Sequence, residues 1–132
     1  MFDQLKSMGA IADLLKNQGK IKEAAERVKN ELEALEVIGE AGGGIAKVVS
    51  TGTLKVVRTD IAPALASGLS SDDPEQRRLA NQMIAEAVND ALTRSQHAAR
   101  AAIEREAQAL GIPGLAEKLT ELLPGFDNRA LP

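Results

Sequence analysis

The sequence predicts an α+β fold: a long helix, a three-stranded antiparallel sheet, a second long helix and a short C-terminal helix. Three observations carry this prediction. Residues 3–35 keep apolar side chains at helical spacing, residues 36–62 switch to short Val-, Ile- and Thr-rich runs separated by glycine, and residues 73–110 return to an alanine-rich helical pattern. The full span 1–132 is expected to form a single domain, a size that buries a moderate core. The chain holds no Trp or Tyr, and Phe2 and Phe126 are its only aromatics, so Ala, Leu, Val and Ile must do the packing. Small side chains favour close helix–helix contacts but bury less apolar area per residue, so a second copy would add stability.

The first helix is assigned to 1–35. Ile11, Leu14, Gln18, Ile21, Ala25, Val28, Leu32 and Leu35 follow alternating spacings of three and four, a narrow apolar seam. That seam suits either an ordinary core-facing helix or contact with another chain. Gly19 weakens its middle and predicts a local bend there.

The segment 36–62 reads as three strands, EVIGEA, GIAKVVST and TLKVVRTDI. The glycines at 39 and 42–44 mark a flexible turn between the first two. Ser50-Thr51-Gly52-Thr53 marks a tight hairpin, with Gly52 where positive φ is needed. Strict alternation puts Leu54, Val56, Arg58 and Asp60 on one face of the third strand and Lys55, Val57, Thr59 and Ile61 on the other.

Pro63 ends the strands, and ALASGLSS reads as a linker of small residues. Asp73 then suits an N-cap, Pro74 the first helical position, and Gln76 completes a capping box. The helix is expected over 73–110, stopped by Gly111, with Ile84, Val88, Ala91, Leu92, Ser95, Ala99 and Ile103 on its buried side. A short amphipathic helix is expected over 113–123, closed by Pro124-Gly125.

The glycine-rich stretch GEAGGGIAKVV also invites a nucleotide-binding reading. Gly39 and Gly44 have the outer spacing of a phosphate-binding loop, but Ile45 stands where that loop requires lysine. A strand follows rather than a helix, so no helix N-terminus faces a phosphate. His97 is the single histidine and sits mid-helix, and cysteine is absent, so neither a zinc site nor a nucleophilic triad can be assembled from the usual residues. The expectation is a protein without catalytic residues, metal, cofactor or small-molecule substrate.

Absence of cysteine and of a basic-then-apolar N-terminal stretch fits a cytoplasmic protein, and no apolar run approaches the ~20 residues that span a bilayer. The formal net charge is −3, and no segment is a basic block. Cations nevertheless recur at helical spacing. Lys16, Lys20 and Arg27 form one stripe on the first helix, and Lys22 and Lys29 form another, both interleaved with glutamates. The simpler reading of these stripes is a salt-bridged, solvated face; the functional one is a set of phosphate contacts. Lys47, Lys55 and Arg58 project from the sheet. With no aromatic neighbours to stack on bases, such cations would grip duplex backbone rather than read single strands.

The stretch LEALEVIGEAGGGIAKVVSTG resembles the centre of the YbaB/EbfC family of bacterial nucleoid-associated proteins. Leu35, Glu36, Val37, Gly39, Glu40, Gly42, Gly44, Lys47, Val48 and Gly52 occupy the family's positions. Ile61, Pro63 and Leu65, then Asn89-Asp90-Ala91, and finally Leu123-Pro124-Gly125-Phe126 are similar to later family segments in the same order. Here Ala62 stands where the family often has Asp, and the segment between Leu65 and Asn89 is several residues longer. The resemblance implies a helix–sheet–helix fold, a tweezer-like homodimer and binding of duplex DNA without chemistry. It also implies a place in the nucleoid and a role in its organisation or in gene regulation. The candidate DNA contacts are Lys16, Lys20, Lys22, Arg27, Lys29, Lys47, Lys55 and Arg58. A protein-interaction or scaffolding dimer is the competing expectation, resting on the apolar seam and the net negative charge.

Overall fold

The computed structural model describes residues 2–123, without the side chains of residues 2–7 and Ala10. The expected closure of the last helix by Pro124-Gly125, and Phe126 beyond it, lie outside the described residues. The fold is α+β. Its elements are α1 (Phe2–Lys16), α2 (Gln18–Ala34), β1 (Glu36–Ala41), β2 (Ala46–Thr51), β3 (Val56–Ile61), α3 (Pro63–Leu69), α4 (Pro74–Leu110) and α5 (Leu115–Leu122). The chain divides into two compact units, one of residues 1–32 and 99–132, the other of residues 33–98. The long α4 supplies its end to the first unit and its beginning to the second.

The first unit is helical. Ile21, Ala24, Val28 and Leu32 of α2 pack with Ala99, Ala102 and Ile103 of α4 and with Leu115, Leu119 and Leu123 from α5 and its end. The apolar seam read from the sequence is therefore a core face over Ile21–Leu32, whereas Ile11 remains exposed. The expected bend near Gly19 falls instead at Asn17, the one residue between α1 and α2. Asn17 Nδ2 donates to the Asp13 carbonyl at 2.7 Å, the kind of side-chain bond by which Asn competes with regular helix.

In the second unit the strands form an antiparallel meander in the order β1-β2-β3. Ala46, Val48 and Ser50 are buried, and a core of small side chains, including Ala41, Ala80, Ala87 and Ala91, joins this face to α4. A Cβ at Gly39 would lie 2.6 Å from the Ala87 carbonyl oxygen and 2.6 Å from the Ala91 Cα. Glycine in β1 is thus what lets the α4 backbone lie against the strand. The Ser50 and Ser95 hydroxyls, both fully buried, sit 2.6 Å apart; Ser50 Oγ donates to the Ala91 carbonyl at 3.4 Å, leaving Ser95 to donate to Ser50.

Four local expectations are corrected. The segment ALASGLSS is not a linker: Pro63 opens α3, with Ala and Leu as good helix formers behind it. Gly52 does not carry positive φ; Leu54 does, at 65°, while Gly52 is buried and donates its N–H to the Leu35 carbonyl at 3.1 Å. Strict alternation fails in β3. Arg58 pairs with Val49 but Val56 pairs with Ser50, so Val57 is an extra, bulged residue and Val56 shares the Ser50 face. The capping box is indirect. Asp73 Oδ1 accepts the Glu75 N–H at 3.0 Å, but the Asp73 N–H donates to Ser71 Oγ, whose hydroxyl donates to Gln76. Elsewhere α4 ends as expected, with Gly111 at φ 63° donating to the Ala107 carbonyl.

Candidate nucleic-acid interface

The candidate cations fall in two different settings. On α1 and α2, burial of Ile21, Ala24, Val28 and Leu32 turns Lys16, Lys20, Lys22, Arg27 and Lys29 outward, and all five are exposed. Among the described residues Lys16, Lys20 and Lys22 form no ion pair. Arg27 does: its guanidinium binds the Glu106 carboxylate. One turn further along α2, Glu31 accepts from Arg105 at 2.6 Å. These two pairs tie α2 to the end of α4, so Arg27 would have to leave a carboxylate to meet a phosphate.

On the sheet, Lys47 is exposed and stands in register between Glu40 of β1 and Asp60 of β3. Its field is therefore met by a carboxylate on each side. Arg58 lies 3.4 Å from Asp60 on the same strand, both side chains being more than half exposed. Lys55, in the β2–β3 hairpin, is exposed and forms no ion pair among the described residues; its carbonyl accepts the Thr51 N–H at 2.8 Å.

Two contributors escaped the sequence reading. Lys118 on α5 joins Lys22 in lining one groove of the helical unit and lies 3.6 Å from Glu121. Its spacing of three from Leu115 and four from Leu122 could have placed it at the edge of the apolar face of α5. Asp90 was noticed only as part of a motif. It accepts the Glu40 N–H at 3.0 Å and the Arg94 Nε at 3.1 Å, fixing the strand that leads into the glycine turn to α4. The Glu40 amide, more than Arg94, holds the Asp90 carboxyl below the usual carboxylate range. The glycine turn itself is a single 3-10 turn with φ of 61°, 69° and 98° at Gly42, Gly43 and Gly44. It is a connection between β1 and β2 with no helix behind it, unlike a phosphate-binding loop.

His97 is exposed on α4. Among the described residues no group of three or more His, Asp or Glu is placed to hold a metal ion, and no helix is long and apolar enough to cross a membrane. The helical unit carries exposed cations on the outward faces of α1 and α2. The chain belongs to the YbaB/EbfC DNA-binding family, whose sequence profile matches residues 8–110. It is 33% identical over 111 residues to a nucleoid-associated protein of Trichormus variabilis, covering 83% of this chain and 90% of that protein. Similar relatives are a nucleoid-associated protein of Synechococcus elongatus, 32% identical over 84% of this chain and 92% of its own, and one of Pseudomonas fluorescens, 30% identical over 80% and 91%. The matched span ends at the last residue of α4, so α5 lies beyond it.

Proposed function

We propose that this protein is a non-enzymatic, nucleoid-associated homodimer that binds duplex DNA chiefly through phosphate contacts and serves nucleoid organisation or gene regulation. Membership of a DNA-binding family carries this reading, and relatives named as nucleoid-associated support a place in the nucleoid. Lys16, Lys20 and Lys22 are the leading contacts, because they are exposed and form no ion pair among the described residues. Lys29 and Lys55 extend the set. Lys47, Arg27 and Arg58 are secondary, each standing beside a carboxylate.

The dimer seam we assign to β3. This strand is an edge of the sheet, and Val56 and Val57 are 44% and 54% exposed. An edge strand with bare valines and unpaired backbone groups invites pairing with its symmetry mate. A scaffolding dimer is the competing reading, favoured by the net charge of −3 and by arginines already held by carboxylates.

Replacing Lys16, Lys20 and Lys22 together by alanine separates the two. The DNA reading expects affinity for a short duplex to fall by about two orders of magnitude across the six sites of a dimer. Unchanged affinity with intact helical signal would remove these lysines from the interface. Duplex binding is followed by fluorescence anisotropy.

A further inference from the structure

A meander in the order β1-β2-β3 has two edges, and both belong to the unit of residues 33–98. A strand from another chain can add to an edge only through the N–H and C=O groups that point outward from it. The two edges differ in this respect. On β1, Ile38 faces Val49 and Glu40 faces Lys47. Residues two apart on a strand send their backbone groups to the same side, so Ile38 and Glu40 share one direction. The Glu40 N–H shows that this direction is outward, because it donates to Asp90 Oδ2 of α4 at 3.0 Å and not to β2. The Arg94 Nε donates to the same oxygen at 3.1 Å, and the α4 backbone against Gly39 fixes the helix from which Asp90 reaches the strand. Ile38, beside the occupied amide, is 52% exposed, a β-branched side chain of the kind that invites strand addition. The β3 edge carries the exposed Val56 and Val57.

We infer that Asp90 guards the β1 edge: by occupying the outward Glu40 N–H it bars a second copy from adding to β1 and leaves pairing between copies to β3. The inference rests on the β3 seam proposed above and explains why assembly would stop there. Two copies joined through β3 still present a β1 edge at each end of the joined sheet. Pairing of β1 with β1 would then add further dimers with no point of closure, the route to open-ended assemblies. With the Glu40 amide occupied, a strand arriving at β1 lacks one of the donors it needs, and a carboxylate stands where its carbonyl oxygen would go. The assembly therefore closes at two.

Sedimentation velocity of the full chain over a wide range of protein concentration tests this. Asp90→Ala should form species of at least twice the wild-type mass that grow with concentration, with helical circular dichroism retained. Asp90→Asn keeps an oxygen acceptor for the Glu40 N–H and should hold the wild-type mass. Ile38→Pro, added to Asp90→Ala, removes an outward N–H without touching the ladder to β2 and should return the wild-type mass. Asp90→Ala that keeps the wild-type mass at every concentration overturns the inference. So do large species that survive Ile38→Pro, because strand addition is then not their cause. Hydrogen exchange supplies a check that needs no variant: a Glu40 amide exchanging as fast as an unprotected one in the wild type also overturns the inference. The wild-type mass reports on the seam separately. A monomeric wild type removes the β3 seam, while a gain of mass by Asp90→Ala over that monomer would still support the guard.

Discussion

Gly39 shows how much a missing side chain can determine. It lies within β1 and not in the turn that follows, and its absent Cβ is the space occupied by the α4 backbone at Ala87 and Ala91. Backbone cannot yield as a flexible side chain can, so Gly39→Ala should destabilise by about 3 kcal/mol or more, at the upper end of overpacking costs. A urea denaturation midpoint compared with wild type checks this. The glycine richness of the stretch was legible in the sequence, and so was its use as a turn at residues 42–44. The separate reason for Gly39 was not, because it depends on which helix lies across the strand. Asp90 belongs at the same scale. Its carboxyl is held below its ordinary range mainly by the Glu40 amide. A depressed folded-state pKa stabilises above the unfolded value of about 3.9 and loses that stabilisation as pH falls through the folded value. Wild type should therefore be more stable than Asp90→Asn at neutral pH, and the gap should close on acidification below about pH 4. Thermal melts across pH measure it, and a gap that stays constant would contradict the assignment.

Elements were legible where periodicity was long and strong, and less so where a single contact decided the matter. The three strands, α4 and its glycine stop follow from patterns that local chemistry enforces. By contrast α3 was read as a linker, since its seven residues are too few to display a period. The bulge at Val57 was hidden because it arises from pairing with β2, and it moves Val56 to the face that strict alternation denied it. That displacement bears on the proposed seam, since α4 buries Ser50 on this face but leaves Val56 exposed beside it. If β3 is the seam between copies, Val57→Lys places a charge on the edge and should yield a monomer. Sedimentation velocity at fixed protein concentration reads the result, with circular dichroism confirming retained helix. A dimer that survives the substitution would move the seam elsewhere.

Over the whole molecule, the distribution of charge says more than its sum. Residues 1–32 and 99–132 hold ten basic and ten acidic side chains, while residues 33–98 hold six and nine, so the net −3 belongs to the sheet-containing unit. The helical unit is neutral overall yet sorts its charges: Arg27 and Arg105 take up Glu106 and Glu31, and Lys16, Lys20 and Lys22 are left without an ion partner among the described residues. This sorting could not be read from the chain, where all of these cations appear as equivalent helix-spaced stripes. On the proposed reading, it is also how a protein of net charge −3 would present cations to phosphates. The most direct test is the salt dependence of duplex binding by the wild-type protein. If six lysines of a dimer neutralise phosphates, log affinity should fall linearly with log salt between ~50 and ~200 mM with a slope of about −5. Binding that is undetectable at the low end, or that does not respond to salt, would contradict the account.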